Sequence, residues 1–365
     1  ALDLTPNFLI NGTVRAENYS DFGNTYIGKL STRYKLLKDI ITLRGSASTG
    51  FRAPSLHQIY TQKSQYTFGS GAIEVQGLLN NVSPEAKALG IPKLKPEKSV
   101  NITLGLGLRP TANFSVTLDY YNITIKDRVV FSNTIEHTAA GDKELDNILN
   151  ASNIKSLSFF VNAVDTRTSG LDLVMTYRNI QLGTGRMALN LSGNYTLENG
   201  RIGNIKNPAV IQAVGQTVVN PTQEALMFTS RPQFKAIFGI DYNISKFSFS
   251  VNNTVFGPTK FRNADLNENL QVEFLTKMVT DFAIYYKITN RTTVGFNVNN
   301  IFNVLPEWKL KALNGQGEAI LSDPNQVKSQ SDLITFNQRY AITTYDGSHF
   351  SQLGTLFNLS VNIKF

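Results

Sequence analysis

The last stretch of the chain, Phe350 to Phe365, alternates between two chemistries with a period of two residues. Leu353, Phe357, Leu359, Val361, Ile363 and Phe365 fall on one side of an extended strand. Gln352, Gly354, Asn358, Ser360, Asn362 and Lys364 fall on the other, and only Leu356 breaks the polar set. Successive side chains of a strand point to opposite faces, so this pattern makes one apolar wall and one wet wall. A soluble sandwich and a membrane barrel both use such strands, the barrel with its apolar side to lipid and its polar side to the lumen.

Repetition separates the two. The same period recurs in a dozen segments: Phe8–Glu17, Tyr26–Leu36, Ile41–Ser46, Val100–Arg109, Phe114–Tyr120, Leu171–Arg178, Met187–Tyr195, Phe234–Tyr242, Phe247–Asn252, Asp281–Ile288, Thr293–Asn299 and the closing strand. The chain opens on the first of them, read as one strand-like run from Leu4 to Glu17, with no signal peptide before it. Every second connection is tight, at Leu36–Asp39, Arg109–Asn113, Asn179–Gly185, Tyr242–Lys246 and Lys287–Arg291. The others are mostly long: Gly50–Pro96, Asp127–Ser156, Arg201–Ser230 and Asn303–Ser348, with shorter ones at Tyr19–Asn24 and near Phe261–Gln271. Short turns at one end and long loops at the other are how outer-membrane barrels are built, and a Greek-key sandwich has no reason to keep that parity. Tyr34, Tyr177, Tyr242 and Tyr286 lie near the tight turns on the apolar side, the place of an interfacial aromatic girdle, although strand propensity alone also favours Tyr. Within the long loops, Ser83-Pro84-Glu85 running to Gly90, and Asp142 to Leu149, each look like an N-cap followed by a short helix.

Bulk composition is compatible with this reading. Hydrophobic residues make up 41% of 365, and no run of eighteen apolar residues predicts a transmembrane helix. The absence of cysteine removes disulfides, thiol nucleophiles and thiolate-ligated metals, and His57, His137 and His349 are scattered without metal-ligand spacing. No cofactor is expected. The formal charge of +8 comes from dispersed Lys and Arg, with no basic run or basic helix, so a wet basic lumen fits better than nucleic-acid binding. Lys29, Arg33, Lys35, Arg44 and Lys235 fall on the polar face and hint at an anionic ligand. Asp119, Asp172, Asp241 and Asp281 fall on the same face. Paired carboxylates there would allow a barrel-borne hydrolase, but cross-strand ion pairing is the simpler reading, and neither G-x-S-x-G nor H-E-x-x-H occurs. An enzyme is not expected.

Several strings occur in order along the whole chain: "SDFG" at Ser20–Gly23, "GFRAPS" at Gly50–Ser55, "LKPEKS" at Leu94–Ser99, "TSGLDL" at Thr168–Leu173, "NVNNIFNVLP" at Asn297–Pro306, "DGSHFSQLG" at Asp346–Gly354 and the terminal Phe365. Together they resemble the C-terminal barrel portion of TonB-dependent outer-membrane receptors of the Bacteroidota type. The resemblance implies an all-β, transmembrane, antiparallel up-and-down barrel of about 22 strands, of which residues 1–365 would supply about twelve. The plug domain, the TonB box and the preceding strands have no counterpart here, so the chain is expected to be part of a longer receptor. The implied function is active import across the outer membrane of a scarce nutrient such as an iron–siderophore complex, a glycan or a peptide. The implied partners are the TonB energy-coupling complex through the missing plug, the lipid bilayer and the outer-membrane assembly machinery, which would read Phe365. The alternative is a barrel scaffold whose loops bind a surface lipoprotein lid without TonB-driven transport. Arg52 in "GFRAPS" is a candidate rim or ligand contact, though a rim turn packed on the wall is the better reading. Trp308, the only tryptophan, is the second candidate.

Overall fold

The protein, seen in a computed structural model, is described over residues 2–20, 22–69, 72–141, 143–336, 340–344 and 350–364. Thirteen strands follow one another through a single antiparallel sheet: β1 Leu2–Thr5, β2 Phe8–Tyr19, β3 Gly23–Leu36, β4 Ile41–Arg52, β5 Glu97–Thr111, β6 Phe114–Phe131, β7 Ser156–Leu182, β8 Gly185–Ile202, β9 Phe234–Ile244, β10 Phe247–Phe256, β11 Lys277–Lys287, β12 Thr292–Asn299 and β13 Leu356–Ile363. All twelve predicted segments are wall strands. The thirteenth, β1, arises because Pro6 and Asn7 turn the chain inside what reads as one run, and Thr5 Oγ1 accepts the Phe8 amide at 3.0 Å across that turn. The closing strand is shorter than its periodicity suggests, since Leu353 lies ahead of it. Among the described residues no ladder joins β1 to β13, so the sheet is open.

The register turns the sequence pattern into surfaces. Leu43, Leu106, Leu118 and Leu173 are successive partners across four strands. Further along, Val251, Phe282, Val298 and Phe357 form another such row, and Leu359 pairs with Phe296 beside it. Much of this face is exposed, with Phe357 at 71% and Leu359 at 73%, while Val298 between its neighbours is covered. Apolar exposure on this scale needs a nonaqueous neighbour. Near the tight turns the rings pair, Phe8 with Tyr34, Phe114 with Tyr177 and Phe247 with Tyr286, at centroid distances of 5.8, 5.7 and 4.7 Å. The Tyr242 hydroxyl donates to the Leu182 carbonyl at 3.0 Å at the same end.

On the opposite face, Arg33, Arg44, Gly105, Asp119, Asp172, Asn194 and Lys235 are successive partners. Arg44 reaches over the intervening strand to Asp119, with its Nε 2.9 Å from Oδ1. The pair passes over Gly105, where a Cβ would collide with both side chains. The Tyr121 ring likewise lies over Gly170, and its hydroxyl accepts from Asn194 Nδ2 at 3.1 Å. These two glycines are needed for close approach, and one belongs to the "TSGLDL" string.

The buried apolar core sits in the long loops and not in the wall. β7 runs for 27 residues, far beyond what spans a bilayer, and its first part carries Leu157, Phe159, Val161 and Val164 into a cluster with Leu79, Leu89, Leu145, Leu149, Ile211 and Val218. The long connections are therefore folded, where sequence had offered only two helices. Both of those form, as Pro84–Ala88, capped by Ser83 Oγ accepting the Ala86 amide at 3.1 Å, and as Glu144–Ala151. Lys143 holds the N-cap position of the second, and Asp142 lies outside the described residues. A hairpin, Lys63–Gly69 with Ala72–Leu79, joins the cluster by parallel pairing to the start of β7. A separate three-stranded loop sheet, Thr259–Phe261, Leu270–Phe274 and Trp308–Ala312, packs Phe261, Val272 and Phe274 against Ile334.

Asp146 fixes one of these loops. Its carboxylate is buried and accepts from the Thr138 hydroxyl at 2.5 Å, the Thr138 amide at 2.7 Å and the Lys143 amide at 2.8 Å. The Thr138 hydroxyl above all, helped by both amides and His137, holds its pKa down to about 2 in spite of burial. A depressed carboxylate pKa stabilises the folded loop fully above the unfolded value of about 4, and that contribution disappears as pH falls through the folded value. Protection of the Glu144–Ala151 amides, measured against their intrinsic exchange rates at each pH, is therefore expected to fall between about pH 4 and pH 2, and an Asp146→Asn variant is expected to lose that pH dependence.

Candidate functional site

The polar face of the wall opens into a cavity of about 1020 Å³ at its loop end. Tyr121, Thr168, Asn194 and Lys235 enter it from the sheet, because residues in step with the Arg44–Asp119–Asp172 row share that face. Arg128 joins from the upper part of β6, and Arg231 and Gln233 from the approach to β9, in step with Lys235. Phe256 at the end of β10 and Asn199 of β8 also border it, and loops add Leu226, Met227 and Phe228 of the helix Pro221–Phe228 and Lys260 of the loop sheet.

Local chemistry places that helix. Asn220 caps it in a reciprocal box with Gln223, at 2.8 and 2.9 Å, and Pro221 occupies the first turn, where its missing N–H costs nothing. Arg201 Nε donates to Glu224 at 2.7 Å and Asn199 Nδ2 donates to the Phe228 carbonyl at 2.8 Å, tying the helix to β8. The Lys260 amide donates to the Thr229 carbonyl at 3.0 Å, and the Thr229 hydroxyl donates to the Lys260 carbonyl at 2.7 Å. The loop after β8 and the loop after β10 are thereby joined at the rim of the cavity.

Among the described residues four cations line the space, Arg128, Arg231, Lys235 and Lys260, and no carboxylate does. Of the acids nearby, Glu224 is paired with Arg201, and Glu273 with Lys311 at 2.9 Å while it faces Lys260 as its strand partner. Lys235 Nζ stands 5.0 Å from the centroid of the Phe256 ring, a cation–π contact that leaves its charge uncompensated.

Of the five polar-face cations singled out by sequence, only Lys235 lines this cavity. Arg44 is paired with Asp119, and Lys35 with Asp39 at 3.2 Å; both border a smaller cavity of about 390 Å³ at the tight-turn end. Of the four carboxylates, only Asp119 holds a cation. Asp172 accepts from Asn194 at 2.7 Å, Asp241 from Asn190 at 3.1 Å, and Asp281 from the Asn300 amide at 2.7 Å, so asparagine satisfies what ion pairing was expected to. Arg52 spends its guanidinium on Glu97, its directly opposite partner, at 2.8 and 2.5 Å, while Glu97 also accepts the Val129 amide. Trp308 packs on the Phe261–Phe274 cluster of the loop sheet. Neither residue lines the large cavity. Phe365 lies outside the described residues. Arg128, Arg231 and Lys260 escaped the sequence reading, though Arg231 was accessible by extending the period-two register of β9 backwards.

A family model described as "TonB dependent receptor-like, beta-barrel" matches residues 1–301. Among solved structures, the ferric enterobactin receptor PfeA from Pseudomonas aeruginosa, in a mutant form, aligns with a TM-score of 0.61 at 16% identity, covering 100% of this chain and 43% of that one. The siderophore receptor PirA from Acinetobacter baumannii aligns at 0.60 and 15%, covering 99% and 44%. The FrpB iron transporter from Neisseria meningitidis aligns at 0.57 and 12%, again covering 99% and 44%. The chain thus spans less than half the length of these structures, and at such identity the likeness is one of fold. No curated protein matches it.

Proposed function

This chain belongs to the family of TonB-dependent receptor-like β-barrels, and we propose on that premise that it supplies wall and surface loops to an outer-membrane importer. The observation that carries the reading is the pair of faces on one sheet. One face carries the apolar rows Leu43–Leu106–Leu118–Leu173 and Val251–Phe282–Val298–Phe357, and the other carries the polar, charge-bearing row from Arg33 to Lys235. Only a sheet with hydrocarbon on one side and water on the other satisfies both. The wall needs the bilayer and the assembly machinery to reach it. Import against a gradient needs energy that a passive wall does not provide, which is the part assigned to the TonB complex. No step of covalent chemistry is assigned to any residue.

The test uses cells that depend on the full-length receptor for a labelled nutrient it supports. Uptake is expected to fall to background when the proton gradient is collapsed or TonB is removed, with surface binding retained. Uptake that continues unchanged would identify a passive pore and contradict the proposal.

A further inference from the structure

The large cavity has a composition that constrains its occupant. Among the described residues Arg128 and Arg231 form no ion pair and no carboxylate lines the cavity; Lys235 and Lys260 add positive charge, Lys260 with Glu273 as its directly opposite strand partner. The same space is walled by Phe256 and by Leu226, Met227 and Phe228 of the helix Pro221–Phe228. A neutral sugar would leave Arg128 and Arg231 uncompensated beside apolar side chains. A simple inorganic anion would leave the apolar wall unused.

We propose that the cavity binds an anionic solute carrying a flat or apolar body, with Arg128 and Arg231 as its main anchors. Guanidinium groups suit this because their planar forks hold oxyanions through two parallel hydrogen bonds and also stack on flat faces. Lys235, held against the Phe256 ring, adds a third charge beside the apolar wall of Leu226, Met227 and Phe228. The tie between Thr229 and Lys260 makes the two loops one rim, so an occupant touches both at once. The inference deepens the transport reading and rests on it for the cavity's access to the outside.

The probe is a pyrene trisulfonate, with an uncharged pyrene alcohol as its neutral counterpart, titrated by fluorescence into the full-length receptor in detergent. The trisulfonate is expected to bind and the alcohol to bind far more weakly. Binding is expected to weaken with salt, as screening requires. The double variant Arg128→Gln with Arg231→Gln is expected to lower affinity by roughly tenfold or more. Arg128→Lys with Arg231→Lys keeps the charge and is expected to recover part of that loss, while Lys87→Gln, on an exposed loop helix outside the cavity, leaves affinity unchanged. Retained heat-modifiable mobility of each variant on gels separates lost binding from lost folding. Failure of the trisulfonate to bind the intact receptor, equal binding of the alcohol, or unchanged affinity in the folded Gln variant overturns the inference. Energised uptake with no probe binding would leave the transport reading standing, and probe binding without energised uptake would sink that reading alone.

Discussion

Arginine in place of Leu118 is expected to destabilise the membrane-inserted protein by about 2–4 kcal/mol, while arginine at the adjacent Thr117 costs little. Leu118 lies between Leu106 and Leu173 in the apolar row. It stands a few residues above the tight turn at Ala112–Asn113, which for a tilted strand places it roughly 12 Å into the hydrocarbon, near the midplane. A charge there loses hydration with no partner on its face. Thr117 points the other way, between Gly107 and Val174 on the polar side. Refolding titrations of both variants into lipid vesicles measure the contrast. Equal costs at the two positions would mean that the faces are not divided between lipid and water.

Truncating Phe159 to alanine has the second large effect. Its ring is fully buried in the cluster that joins β7 to three loops, and Phe→Ala at such sites costs about 3–5 kcal/mol through lost burial and the cavity left behind. The loss is expected to fall on the loop cluster, since Phe159 lies beyond the bilayer-spanning part of β7. Hydrogen exchange should therefore rise in Pro84–Ala88, Glu144–Ala151 and Ala209–Ala213 and stay unchanged in the Leu43–Leu106–Leu118 region of the wall. Uniform acceleration would show that cap and wall unfold as one unit.

The wall was legible because a two-faced strand prints its environment into every second residue, and tight turns break that print at fixed intervals. β1 was hidden because four residues before Pro6 are too few to establish a period. The loop core was hidden for a different reason. Leu79, Ile91, Leu149 and Val218 are far apart in sequence and meet only in three dimensions, with no repeat to announce them. The site divides in the same way. Lys235 sits inside a strand and its face follows from Phe234 and Ala236, whereas Arg128 is in step only after the irregular pairing near Val164, and Lys260 belongs to a loop sheet. Arg52 and Trp308 drew notice through their rarity or setting, which says nothing of partners such as Glu97 or Phe274.

This chain contains no cysteine, so in a receptor cleared of any cysteine outside it, single cysteines at positions 116 to 120 can each carry a spin label without background. In vesicles, collision with oxygen, which concentrates in hydrocarbon, is expected to peak at Val116, Leu118 and Tyr120. Collision with a water-soluble nickel chelate is expected to peak at Thr117 and Asp119. Two profiles rising and falling together, or the reverse assignment, would contradict a wall with lipid on one side and water on the other.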